Sequence, residues 1–152
     1  MPLTKTESRV CISVPGNPVA KGRPRSYKMK SGGIGHYTPQ KTEDYERLVK
    51  LCAFPEMRGR GVLIGPISLQ LNLYFEIPES WPKRKQILAL ALLERPTAKP
   101  DIDNVLKIFG DALNGVVWED DKQIVEATVR KYYSQDPKAI AIISQIVNPA
   151  EE

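Results

Sequence analysis

Histidine is nearly missing from this chain: His36 is the one copy in 152 residues. Cysteine is scarce as well, with Cys11 and Cys52 far apart and in no CxxC pattern. That argues against a structural zinc site, and both thiols are expected to be small buried residues. No apolar run approaches the roughly 20 residues of a membrane span. The opening MPLTKTESRV lacks the apolar stretch of a signal peptide, so a cytoplasmic protein is expected. Repeats, low-complexity tracts and a glycine-rich phosphate loop between strand and helix are absent too. What is present, 41% hydrophobic and 26% charged residues, is the composition of one globular domain.

The net charge is only +4, but it is unevenly placed. Between Ala20 and Lys30 stand Lys21, Arg23, Arg25, Lys28 and Lys30, with no acid among them. From Asp101 to Asp121 there are six acids and one lysine. A basic arm beside an acidic cluster suits an anionic polymer gripped by cations and attacked near a metal. Two separate solvated surfaces would give the same charge pattern.

Periodicity predicts the elements. Val10, Ile12 and Val14 alternate as a short strand over 9–15, and residues 16–38, rich in Gly, Pro and cations, form a long basic loop. A helix starts near Thr38 with Pro39 in its first turn and ends at Pro55; Tyr45, Leu48, Val49 and Cys52 make its buried stripe. Residues 67–77 alternate strictly, as a strand with one face buried and Ser68, Gln70, Asn72 and Tyr74 on the other. A second helix covers 79–95, with Lys83, Arg84 and Lys85 crowding its positive end. A third runs from about Asn104 to Asn114, N-capped by Asp103 and stopped by Gly115. QIVEATVRKYYS and AIAIISQIV are β-branched strands, expected to pair as a hairpin through QDPK. The order predicts an α+β domain, helices packed on a mixed β-sheet.

The chemistry concentrates in KPDIDNVLKIFGDALNGVVWEDD. In extended backbone, residues two apart project to the same side, so Asp101 and Asp103 are expected to share a target. The third helix is about 16 Å long, and about six extended residues after Gly115 reach back some 20 Å, so Asp121 can return to the first pair. Converging carboxylates resist ionisation unless a cation joins them. Oxygen donors without a His or Cys cluster select Mg²⁺ or Mn²⁺. DxD alone also fits an N-cap and a loop acid. Lys107 can reach the carboxylates or a phosphate oxygen, or simply pair with Asp111. Tyr27 and Tyr37 in the basic loop are either ordinary loop aromatics or platforms for unpaired bases; isolated His36 is expected in solvent.

Taken together, DxDNxxK, DALNG and WxDD in this order resemble the core of the RusA family of Holliday junction resolvases, and PVAKGRPR and YTPQKTEDYE resemble the N-terminal half of its phage and prophage members. The likeness runs from about Pro15 to Ser134 and implies a single RusA-like domain over residues 1–152, with 1–8 and 148–152 as flexible tails. It implies a homodimeric endonuclease that needs Mg²⁺ or Mn²⁺ and cuts four-way or branched DNA by paired symmetric nicks, leaving 5′-phosphate ends. The family's catalytic acids fall on Asp101, Asp103 and Asp121 and its lysine on Lys107, with Asp120 an adjoining metal ligand. Lys21, Arg23, Arg25, Lys28 and Lys30 are expected to grip DNA phosphates. The competing classes are a non-catalytic DNA-structure-binding protein of phage origin and a DxD-dependent transferase.

Overall fold

Alternation of β-branched and polar residues sets the sheet. In the computed structural model, which describes residues 9–147, β1 (Arg9–Pro15) buries Val10, Ile12 and Val14 and leaves the residues between them exposed. β4 (Ile67–Glu76) buries Ile67, Leu69, Leu71 and Leu73 on one face and keeps Ser68, Gln70, Asn72 and Tyr74 half-buried on the other. β5 (Ile124–Ser134) and β6 (Lys138–Gln145) complete a four-stranded sheet in the order β1-β6-β4-β5. Two helices, α1 (Gln40–Ala53) and α3 (Ile102–Ala112), cover its apolar face. Val49, Val105, Ile108 and Phe109 join the strand residues in one core, with Trp118 the largest fully buried side chain. This is the expected α+β domain with a mixed sheet.

The expected hairpin of the last two strands does not form. β5 pairs parallel with β4, and β6 pairs antiparallel with both β4 and β1, so β4 lies between the two strands that are neighbours in sequence. Burial explains the insertion: β4 has the densest run of large aliphatics and belongs at the centre, where both edges are paired and its inner face meets the helices. The short QDPK link only has to step across one strand.

Three further departures have local causes. The basic loop contains a two-stranded ribbon, β2 (Arg25–Lys28) and β3 (Ile34–Tyr37), closed where Met29 N–H donates to Gly33 O at 2.8 Å. β2 is exposed throughout, so no hydrophobic alternation marks it. The second helix, α2 (Lys83–Leu90), is half the expected length. Pro82 sets its start, and Leu92, at φ 63°, turns the chain so that Leu93 and Glu94 N–H both return to Leu88 O. Its basic first turn is as expected, with Lys85 lying 4.0 Å over the Trp81 ring. Finally, Cys11 is exposed, not buried as expected, because it falls between buried Val10 and Ile12 on the outer face of β1, whereas Cys52 is half-buried and packs against the core. His36 is exposed, as expected.

No described helix is long and apolar enough to cross a membrane. The expected tails at 1–8 and 148–152 lie outside the described residues.

Tyr45 is the one buried polar side chain without a hydrogen-bond partner among the described residues. Its ring meets Phe109 edge-on at 6.1 Å, and burial pushes its phenol pKa up. Tyr45→Phe keeps the aromatic contact and removes an unpaired hydroxyl, so the melting temperature is expected to rise, by about 1 kcal/mol of stability. A lower melting temperature in a thermal scan would show that the hydroxyl is satisfied in solution.

Candidate active site

The α3 N-terminus differs from expectation in a way that matters. Asp101, not Asp103, is the N-cap, with extended backbone at ψ 146°, and Asp103 already lies in the first helical turn. The two carboxylates therefore do not project together from extended chain. Instead Asp103, Lys107 and Gly110 stand at i, i+4 and i+7 along one stripe of α3. The adjoining stripe of Val105, Ile108, Phe109 and Ala112 is buried in the core.

Asp121 comes back to that polar stripe. After Leu113 caps α3, Gly115 at φ 77° reverses the chain, and its N–H donates to Trp118 O at 2.7 Å. Trp118 drops into the core, and its Nε1 donates to Asn114 Oδ1 at 2.9 Å. A one-turn 3₁₀ segment (Asp121–Gln123) follows. Gln123 fastens it: Oε1 accepts from the N–H groups of Glu119 and Asp120, while Nε2 donates to Leu63 O and Gly65 O. The return delivers the Asp121 carboxylate 3.8 Å from Lys107 Nζ. It also packs on Gly110, where an added Cβ would stand 3.3 Å from Asp121 Oδ2. Glycine in mid-helix is locally unfavourable, and here it leaves the space that Asp121 occupies.

Asp103, Lys107 and Asp121 line one pocket of about 370 Å³, walled on its far side by Ile124, Val125 and Glu126 at the start of β5. Glu126 is an acid that the motifs do not single out; only its exposed place on β5 beside α3 puts it there. Lys107 also pairs with Asp111 Oδ1 at 3.1 Å. The Asp111 hydrogen bond, with the Asp111 and then the Asp121 charge, holds the Lys107 ammonium above the usual lysine range.

The other predicted acids, Asp101 and Asp120, do not line this pocket. Asp120 Oδ1 accepts from Lys122 N–H at 2.9 Å, capping the 3₁₀ turn, and the residue lines a neighbouring cleft with Gly65 and Gln123. That backbone hydrogen bond is the first cause of its lowered pKa, followed by adjoining Asp121 and by the charges of Lys122 and Lys107. Asp101 stands beside Lys131, whose Nζ donates to Ala98 O and Pro100 O and so fastens the chain leading into α3. Burial lowers the Lys131 pKa, and Asp101 partly offsets it.

Among the described residues no three acidic, Cys or His side chains stand ready as a complete metal cage. The donor set still suits Mg²⁺. It offers hard oxygens without His or Cys, and Mg²⁺ commonly takes one or two carboxylates and keeps waters and substrate phosphate for its other positions. Asp103 and Asp121 meet that requirement.

The predicted DNA contacts divide. Arg23, Arg25, Lys28 and Lys30 are exposed and make no ion pair among the described residues. Tyr27 and Tyr37 lie against each other on the ribbon at 6.1 Å, each about half exposed, and the Tyr27 ring covers Gly35. Lys21 instead turns inward, to Glu46 and to Asp111 at 3.2 Å. Burial opposes its charge, but hydrogen bonds to both acids outweigh that and hold its ammonium above the usual range.

Two carboxylates and an acid-paired lysine lining one pocket, in a chain that also carries an exposed basic ribbon, are chemistry suited to phosphodiester cleavage in nucleic acid. The family description Endodeoxyribonuclease RusA matches residues 15–143. The chain is also similar to the Bacillus subtilis (strain 168) protein designated "Uncharacterized protein YqaN", at 36% identity over 140 residues covering 90% of this chain and 97% of that one. The chain belongs to the RusA endodeoxyribonuclease family.

Proposed function

We propose that this endodeoxyribonuclease resolves four-way DNA junctions by paired symmetric nicks, as a homodimer dependent on Mg²⁺ or Mn²⁺, in recombination and repair in the cytoplasm of a bacterial or phage-infected cell. The observation that carries the reading is the convergence of Asp103, Lys107 and Asp121 on one pocket from two segments of chain. Asp103 and Asp121 would hold the ion, with Asp101 and Asp120 at its margins. The bound ion supplies positive charge that activates water and stabilises the leaving oxygen.

The chain's own residues do the rest. Lys107 lines the pocket with its side chain more than half exposed, placed to meet a nonbridging phosphate oxygen as negative charge builds there. The lysine gives up only part of its pairing to do so, because Asp111 still holds it from below. Arg23, Arg25, Lys28 and Lys30 track the backbone of a DNA arm; such contacts position the duplex without reading its sequence. A junction has near two-fold symmetry, and an isologous dimer supplies two such pockets. The second copy would sit on the outward face of β4, where Tyr74 stacks on Tyr132 at 5.5 Å.

The test is a labelled synthetic four-way junction beside a linear duplex of the same sequence, each with Mg²⁺ or with EDTA. The expected result is paired nicks with ligatable ends on the junction alone, and none in EDTA. Junction binding without nicks in Mg²⁺ or Mn²⁺ would leave a DNA-structure-binding protein in its place.

A further inference from the structure

Lys21 sits in the most basic stretch of the chain, yet its surroundings are unlike those of its neighbours. Its side chain is 26% exposed, and its Nζ lies between Glu46 of α1 and Asp111 of α3. Its backbone N–H donates to Asn104 O at 3.0 Å, and the next N–H, of Gly22, donates to Thr42 Oγ1 at 2.9 Å. Gly22 has no room for a side chain, since a Cβ would stand 2.8 Å from that hydroxyl oxygen. The segment is thus pinned to both helices before the chain leaves for the exposed ribbon.

Asp111 links this clamp to the pocket. Its Oδ2 pairs with Lys21 at 3.2 Å and its Oδ1 with Lys107 at 3.1 Å. Lys107 in turn lies 3.8 Å from Asp121 Oδ2. Charges alternate along the row Glu46, Lys21, Asp111, Lys107, Asp121. Such a row fixes what a single pair cannot. A lone Asp111 could rotate and take Lys107 with either oxygen, drawing the ammonium down along α3 and away from Asp121. With Oδ2 held by Lys21, only Oδ1 is free, and Lys107 is left reaching toward the pocket.

We infer that Lys21 and Asp111 are positioning residues for Lys107, and that Lys21, alone among the cations of the basic stretch, does not contact DNA. The inference rests on the nuclease reading of the pocket.

The experiment uses the full chain with Lys21→Met, Lys21→Arg, Asp111→Asn and Arg23→Ala, and with the first and third repeated in a Lys107→Ala background. Junction affinity in EDTA is measured across a salt series. Arg23→Ala is expected to lower the salt slope by about one, and Lys21→Met to leave it unchanged. In Mg²⁺ under single turnover, Lys21→Met and Asp111→Asn are each expected to slow cutting about tenfold at unchanged affinity, as loss of a residue that orients a catalytic group does. Lys21→Arg, which keeps both pairs, is expected to restore most of the rate. In the Lys107→Ala background neither substitution should slow cutting further. A salt slope that falls with Lys21→Met as it does with Arg23→Ala overturns the inference. So does a loss of rate that persists at full size without Lys107, the mark of general damage to the fold. Wild-type protein that binds but never cuts refutes the nuclease reading, and with it the positioning role, while the salt slopes still decide whether Lys21 touches DNA.

Discussion

Asp103→Asn is expected to lower junction cutting by about a hundredfold or more, the scale of removing one preorganised charge from a catalytic site, while binding in EDTA stays at least as tight as wild type. The asymmetry follows from position. Asp103 is exposed on the first turn of α3 and lines the pocket, so the amide costs the fold only the helix-dipole contribution of a first-turn acid, about 0.3–1 kcal/mol. It also removes a negative charge from a surface that DNA approaches. Asp121→Asn should lose as much activity, and the Lys107 pair with it. Cutting assays with and without Mg²⁺, beside binding curves in EDTA, separate the two effects. An Asp103→Asn protein that cuts at the wild-type rate would remove this carboxylate from the chemistry.

The second large effect is structural. Trp118→Ala is expected to destabilise the protein by about 3–5 kcal/mol, as truncation of large buried aromatics does. At about 2–4 °C per kcal/mol in a domain of this size, melting falls by roughly 10 °C. Trp118 is fully buried, and its indole N–H satisfies Asn114, so the change opens a cavity and leaves an amide oxygen unpaired at once. Because Trp118 also anchors the turn that brings Asp121 back to α3, activity should fall further than the unfolded fraction explains. Thermal denaturation with cleavage measured well below the transition checks both parts. A loss of less than 1 kcal/mol would mean the turn is held by Gln123 alone.

What the sequence made legible, and what it hid, follows physical lines. Strict alternation over Ile67–Glu76 and the apolar stripe of α3 are strong periodic signals, and both elements stand within a few residues of their expected bounds. The motif acids and Lys107 stand out in the sequence because their order and spacing carry the family likeness. Strand pairing was not legible. Nothing in QDPK distinguishes a hairpin from a link that spans an inserted strand; only the competition for the sheet centre decides it. The ribbon at Arg25–Tyr37 was hidden because β2 buries nothing. The cap was misplaced by two residues because Asp101 and Asp103 are equally good N-cap types, and the choice rests on where helical backbone begins. The surroundings of Lys21 were not legible either. Composition groups it with the surface cations, and only the approach of α1 to α3 shows that two acids claim it.

The insertion of β4 between β5 and β6 bears on how the protein acquires its activity. Leu69 must find Ala127 and Ile143 across long stretches of chain before the sheet is complete. Such distant pairings close slowly, since the entropy of the intervening loops is lost before contacts repay it. The wall of the pocket is the beginning of β5, which follows the motif acids in sequence and pairs with β4, so a chain that stops at Asp121 carries every motif acid but lacks that wall. The motif acids alone therefore do not make the pocket; it is complete only once β5 has been laid against β4.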